Sequence, residues 1–479
     1  MSNTNPARGM RDFLPEQVRK REYVIGIIKE VYEKYGFEPL ETPAVENLST
    51  LTNKYGEEGD QLMFKILERG EKLRRKLEGG GVKSENDLSD LALRYDLTVP
   101  LARVVANYKN ELPRFFKRYQ IQPVWRADRP ARGRYREFYQ CDVDAIGSRS
   151  MIVEAELCAA VSEILERLGF DDFVILINHR EILRGFLEVA GVDEKKHSDT
   201  LIALDKFDKI GEQGVSKELV ERGVFTEEGG NNFIRQFLEL MKLHGDPAYN
   251  IPEKKTAEFK KKRTEEENLT VIEKLREFIG KNESGKRGIE SVEQILALTR
   301  NSPAYGQVKV QPYLARGLSY YTGAIFEIGL DRGDFSGSIA GGGRYDGLIG
   351  MFGKEEIPAV GLSLGLERIL LIMEERGMFP EEIDKRVAAD VLVTVWNEDT
   401  AAESLKFAGE LRAEGLRVTV YPENDKLGKQ FKYADQTGVP FVCVLGDDEI
   451  RENTVTLKNM KTGEQESVAR DEIAGKIKA

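Results

Sequence analysis

The sequence predicts an α+β protein: a sheet-bearing domain split by a helical insertion, then a smaller, separate α/β domain. Three observations predict it. Strand-like segments near 91–100, 137–147 and 317–328 are apolar on one side and polar on the other. Between 180 and 310 the pattern turns helical and densely charged. Beyond 389, short apolar runs alternate with helical ones, which points to a mostly parallel sheet.

Taken in order, residues 17–35 read as a helix, with Val24, Ile27, Ile28, Val31 and Tyr35 on one face. "FEPLETPAV" is extended and broken by Pro39 and Pro43. From Leu91 to Ile146 the chain is strand-rich, with an arginine-rich loop between Arg126 and Arg136. A helix over about 150–168 and the strand "DFVILIN" follow. The charge run "EKKTAEFKKKRTEEEN" reads as a solvated helical face. Strand pattern resumes near 308 and ends in a helix after Gly365. "GMFPEEIDKRVAAD" marks a boundary, and "DVLVTVW", "RVTVYP" and "PFVCVLG" are the strands of the last domain. Its two final short strands turn on "KTGE". The expected partition is 1–179, 180–310, 311–386 and 389–479.

At 479 residues the chain can bury a core without staples. Cys141, Cys158 and Cys443 show no paired spacing, so neither a disulfide framework nor a zinc site is expected. The polar start "MSNTNPARGM" lacks a signal-peptide pattern, and "ERILLIM" is too short to cross a bilayer. A cytoplasmic location is expected. A net charge of −11 argues against a coat of basic residues over nucleic acid but leaves room for a local basic patch.

The polar faces carry the functional signal. Arg94, Asp96 and Thr98 alternate with Leu93, Tyr95 and Leu97; Phe138, Gln140, Asp142 and Asp144 alternate with Tyr139, Cys141 and Val143; Ser319, Tyr321 and Gly323 alternate with Leu318, Tyr320 and Ala324. Solvated strand faces favour Lys, Glu and Thr. These carry acids, an amide and a phenol, which suit a small cationic or hydrogen-bonding ligand. Arg126, Arg316, Arg368 and the loop arginines 129, 132, 134 and 136 add forks for carboxylate or phosphate. No P-loop occurs, and "AGGGRYDG" lacks the dinucleotide spacing. His179, His197 and His244 are too scattered for a metal cluster or a Ser-His-Asp triad, and no metal ligands are expected; "NHRE" reads as a structural histidine.

These motifs resemble the histidyl-tRNA synthetases, a family of class II aminoacyl-tRNA synthetases. "RGLSYYTG" and "GGGRYDGL" resemble the two histidine signatures, "WRADRPARGRYREFYQCDVD" motif 2 and "GLSLGLERIL" motif 3, while Pro43 matches the motif 1 proline. The resemblance implies a catalytic domain on an antiparallel six-stranded sheet, a helical insertion near the tRNA acceptor arm and a C-terminal anticodon-binding domain. It implies ATP and Mg²⁺, L-histidine and tRNA(His) as partners, and a homodimer.

It also assigns roles. Arg316 and Arg126 flank the α-phosphate as the catalytic pair, and Arg134 reaches the pyrophosphate side. Phe138 and Arg368 sandwich adenine. Asp96, Thr98 and Gln140 hold the α-ammonium, Asp144 and Tyr321 read the imidazole, and Tyr345 closes the pocket. The sequence departs from the family pattern at Asp128, where motif 2 usually has glutamate, and at Ser319, where the signature has aspartate. Asp96 and Asp144 stand where many bacterial members carry glutamate. The competing readings are a non-catalytic regulatory or histidine-sensing paralogue, and a class II synthetase for glycine or proline.

Overall fold

The computed structural model describes residues 4–52, 54–204, 206–241, 257–315, 320–335, 337–353, 355–384 and 387–478. The chain divides into two compact units, Met1–Phe379 and Pro380–Ala479.

In the first unit, Pro15 opens the helix Pro15–Lys34, where a missing N–H is harmless. Val24, Ile28, Val31 and Tyr32 form its buried stripe. That stripe packs under an eight-stranded sheet ordered Glu38–Pro39, Phe116–Trp125, Glu137–Ile146, Ala359–Gly365, Ala340–Arg344, Ala324–Leu330, Phe173–His179, Val308–Val310. The middle six strands are antiparallel, and the short strand at each edge is parallel to its neighbour. The edge strand Val308–Val310 is clamped by Asn268, which donates to Val308 O (2.9 Å) and accepts from Val310 N (2.9 Å).

Alternation gives the sheet two unlike faces. Cys141, Val143, Phe326, Leu362 and Leu364 pack with Leu157, Val161 and Ile164 of the helix Ile152–Arg167 and with Ile369 and Ile372 of Leu366–Glu375. On the other face the register pairs Arg118 with Asp144, Gln120 with Asp142 and Gln122 with Gln140, while Gly361 and Ser363 lie beside Asp144 and Asp142. A separate three-stranded sheet, Val45–Asn47, Ser89–Leu93 and Lys65–Leu67, lies earlier in the chain. The helices Arg180–Val189 to Glu283–Thr299 share the core beneath the main sheet, with Phe186 ringed by Phe233, Phe237 and Phe278. Within the charge run, 258 and 260–267 are exposed or half-buried and laced by ion pairs such as Arg263–Glu267 (2.8 Å). Its first residues, 253–256, lie outside the described residues.

The second unit is a five-stranded sheet ordered Val418–Val420, Val391–Val393, Phe441–Val444, Thr454–Asn459, Gln465–Ala469. The first three strands are parallel. The last two form an antiparallel hairpin, so the sheet is mixed rather than mostly parallel. Phe407 and Leu411 cover one face, and Ala434 lies on the other.

Candidate active site

Two adjoining cavities open on the polar face of the main sheet. The smaller, about 150 Å³, is lined by Asp96, Thr98, Gln140, Asp142, Asp144, Tyr320, Tyr321, Tyr345 and Ser363. The segments expected to share a ligand therefore converge. At its base the fully buried Arg118 lies 2.8 Å from Asp144 Oδ2 and 3.9 Å from Asp142 Oδ2. The first approach is off the axis of a hydrogen bond, so it acts as a charge contact. The Tyr345 hydroxyl donates to Asp144 Oδ1. The Gln140 amide donates to Ser363 Oγ (3.1 Å) and Asp142 Oδ1 (3.3 Å). Asp96 accepts from Tyr55 Oη (2.9 Å), Val99 N (3.0 Å) and Tyr320 Oη (3.4 Å).

Burial pushes the carboxyls of Asp96, Asp142 and Asp144 above the usual carboxylate range; Arg118 opposes this at Asp142 and Asp144, the Val99 amide at Asp96. Two glycines make the room. A Cβ on Gly361 would fall 1.9 Å from Asp144 Oδ1, and one on Gly343 would fall 3.0 Å from the Tyr321 ring.

The larger cavity, about 400 Å³, is lined by Arg126, Asp128, Arg134, Tyr135, Phe138, Ser338, Glu367 and Arg368, and it shares Arg126, Gln140, Gly341 and Ser363 with the first. Arg126 stands at the junction. Its Nε donates to Tyr95 O (3.0 Å), and its guanidinium lies 4.4 Å from the Tyr95 ring and 5.2 Å from the Phe138 ring. Arg134 is paired with Asp128 (2.8 Å), so the shorter motif 2 acid reaches an arginine partner. Arg368 donates to Ser338 O. A cavity rimmed by arginines and floored by an aromatic ring fits a nucleotide, and its neighbour fits a small cation.

A family profile described as histidyl-tRNA synthetase matches residues 9–77 and 82–369, and one described as anticodon binding domain matches 390–479. The chain belongs to the histidyl-tRNA synthetase family. It is thus a ligase that charges tRNA with histidine, built on the class II synthetase fold. It is 41% identical to the histidine–tRNA ligase of Christiangramia forsetii, over 98% of each chain, and 40% identical to that of Cytophaga hutchinsonii, over 100% of each. The histidyl-tRNA synthetase of Nostoc sp. PCC 7120 superposes with a TM-score of 0.74 at 31% identity, covering 100% of this chain and 99% of the other. The apo S. aureus enzyme, at 23% identity and a TM-score of 0.65 over 100% of both chains, attests the fold alone.

Against this histidyl-tRNA synthetase frame, several sequence expectations change. Arg94, Asp96 and Thr98 do not share a strand face. The strand ends at Leu93, and Thr98 begins the helix Thr98–Tyr108, whose Val99 N–H Asp96 caps. Arg94 turns away, donating to Thr42 O (2.6 Å) and Pro123 O (2.8 Å). The strand after "SYY" starts only at Ala324, so both Tyr320 and Tyr321 reach the cavity, their rings 5.1 Å apart. Tyr345, expected to close the pocket, lines the smaller cavity. It is 1% exposed, with its hydroxyl on Asp144. Arg316 and Ser319 lie outside the described residues. His179 is structural, its Nδ1 accepting from Glu181 N (3.1 Å). Sequence reasoning left out Arg118, Tyr55, Ser363 and Glu367, set Tyr320 on the apolar side, and named Asp142 without giving it a role. Arg118 had a signal: in "FKRYQIQPVW" it alternates with Gln120 and Gln122.

Proposed function

We propose that the two adjoining cavities hold L-histidine and ATP, and that the reaction runs at their junction. The observation that carries this reading is Arg126, shared between an acid-floored cavity and an arginine-rimmed one. A histidine carboxylate oxygen attacks the α-phosphorus of ATP, the bond to pyrophosphate breaks, and histidyl-adenylate forms. A ribose hydroxyl at the end of tRNA(His) then attacks the carbonyl carbon, and AMP leaves. Arg126 offsets charge on the α-phosphate in the first step. Arg316 does the same from the opposite side, an assignment that rests on the signature "RGLSYYTG". Arg134 meets the pyrophosphate end, and Phe138 and Arg368 take the adenine between them.

Asp96, Thr98 and Gln140 receive the α-ammonium. Asp144 is fixed by Tyr345 and Arg118, yet a carboxylate offers about four lone-pair directions. It accepts from one imidazole nitrogen while Tyr321 donates to the other. A cavity built on such bonds rejects other side chains by roughly 10⁴-fold, because they leave buried polar groups unpaired. Mg²⁺ enters with the phosphates, which are its natural oxygen ligands, and supplies charge neutralisation there. Among the described residues no cluster of three metal-ligating side chains occurs, and Asp128 and Glu367 are held by arginines, so no step is assigned to the ion.

The protein works in the cytoplasm as a homodimer; among the described residues no helix is long and apolar enough to cross a membrane. The test is ATP–pyrophosphate exchange. It should require histidine, and Arg126→Ala should cut it by roughly 10²–10³. Exchange driven equally by glycine or proline, or histidine binding without ATP binding, would overturn the reading. Light scattering tests the dimer.

A further inference from the structure

Beside the nucleotide cavity lies a cluster to which the reading above gives no role. Glu367 opens the helix Leu366–Glu375, next in sequence to Arg368. Its side chain is 5% exposed and gripped from two directions: Arg21 Nη1 donates to Oε1 (2.8 Å), and Arg11 Nη2 donates to Oε2. Arg21 comes from the core helix Pro15–Lys34 and is itself buried. Arg11 comes from the N-terminal segment and is one-third exposed. Arg21 alone would still pair this carboxylate, so Arg11 is not what keeps Glu367 from being an uncompensated buried charge.

Arg11 has a second contact. Its guanidinium lies 3.3 Å from the centroid of the Tyr135 ring. Tyr135 lines the nucleotide cavity and belongs to the arginine-rich loop that also carries Arg134. The same N-terminal segment is tied to that loop through the backbone, because Gly9 O accepts from Arg136 N (2.8 Å). Arg136 in turn donates from Nε to Asp128 O (3.0 Å), and Asp128 holds Arg134. One side chain therefore bridges the two walls of the cavity, the helix that bears Arg368 and the loop that bears Arg134 and Tyr135.

We propose that Arg11 is a positioning residue for the nucleotide. It holds the loop against the helix, so that Arg134 and Arg368 stand at a fixed separation when ATP enters. It lines neither cavity, and lies instead in a neighbouring cavity beside Tyr135 and Glu367. This inference rests on the larger cavity being the ATP site. Loss of Arg11 frees the loop, and ATP must then order it on binding, which weakens ATP while leaving histidine alone.

The test is isothermal titration calorimetry of the full chain with Mg-ATP and, separately, with L-histidine, for wild type, Arg11→Ala and Arg11→Lys, with melting temperatures alongside. Arg11→Ala should bind ATP about tenfold more weakly, with histidine affinity within twofold and a melting temperature within a few degrees of wild type. Arg11→Lys, which keeps a charge for Glu367, should fall between the two. The proposal is overturned if Arg11→Ala binds ATP as wild type does. It is also overturned if both ligands weaken together with the melting temperature, or if Arg11→Lys is as defective as Arg11→Ala. Because ATP binding is read directly, a wild type that binds ATP but not histidine would sink the histidine assignment and leave this test standing. A wild type that binds no ATP overturns both.

Discussion

Replacing Arg118 by methionine removes the charge beneath the smaller cavity while keeping much of the buried volume. The guanidinium is 2.8 Å from Asp144 and 3.9 Å from Asp142. At an effective dielectric of about 20, these separations correspond to attractions of about 6 and about 4 kcal/mol. Taking the charges out of water offsets much of that, at several kcal/mol per ion. Once the arginine is gone the desolvation stands unopposed, and Arg118→Met should lose about 3–5 kcal/mol of stability. The deficit should depend on pH. Burial already raises the Asp144 carboxyl above its ordinary value against the pull of Arg118, and the variant raises it further. A carboxyl whose folded pKa exceeds its unfolded one contributes stability below the unfolded value, and loses it as pH rises through the folded value. The variant should therefore lie nearest to wild type at about pH 5 and furthest below it at about pH 8. Adding Asp144→Asn removes the orphaned charge and should recover part of the loss. Urea unfolding followed by circular dichroism at these pH values measures all three proteins. A deficit below about 1 kcal/mol, or one that does not change with pH, or a double variant no more stable than the single, would refute this account of the floor.

Three further outcomes follow from the same geometry. In Gly361→Ala the new methyl would sit 1.9 Å from Asp144 Oδ1 and 2.9 Å from Val143 O, so the acid must leave its place. Histidine KM in pyrophosphate exchange should rise at least about tenfold, with a stability cost of about 1–3 kcal/mol. Tyr345→Phe deletes the donor to Asp144 and should weaken histidine binding by about tenfold in calorimetry while ATP binding is unchanged; equal loss for both ligands would point to general damage. Burial pushes the His179 imidazole down to about 4, with Glu181 opposing. A histidine depressed in this way stabilises fully above its unfolded value of about 6.5, and that contribution, about 3 kcal/mol, is lost as pH falls through the folded value. Urea midpoints should drop between about pH 7 and pH 4, and less steeply in His179→Asn, which keeps an acceptor for the Glu181 amide.

Alternation was a sound guide where two neighbours enforce it. Glu137–Ile146 is paired on both sides along most of its length, so a slip of one residue would turn Val143 toward the cavity and drive Asp142 and Asp144 into the apolar core. The same rule failed at "RYDLT", where a strand end, a turn and a helix start happen to repeat with period two. The corrective signal was local. An aspartate three residues before a free amide, with Pro100 in the first turn of an apolar helix, reads as a helix start. Strand pattern near 308 and an extended stretch around Pro39 were legible, but not their parallel pairing at the two edges of the sheet, which at Val308–Val310 is fixed by Asn268 from a distant helix.

The difference between what was legible in the site and what was not has a physical cause. Residues that meet a ligand are constrained by the ligand's chemistry, so their types alone argue for a cation here and an anion there. Residues that hold them are constrained by partners brought close only by folding. Arg118 faces Asp144 across a strand pair, and Arg11 meets Glu367 across 356 positions of chain. The glycine run "AGGGR" belongs to both classes. It is a strand, not a phosphate loop: Gly341 and Gly343 lie on the side of Ser363 and Gly361, while a Cβ on Gly342 would meet Gly361 O at 2.0 Å. Its spacing therefore follows the pleat, two residues apart on the open side, and the missing side chains are what leave the cavity deep enough for an amino acid. A substitution at Gly343 should accordingly press on Ala324 O (2.6 Å) and on the Tyr321 ring (3.0 Å) of the smaller cavity and spare the larger one, which only Gly341 of the three glycines lines.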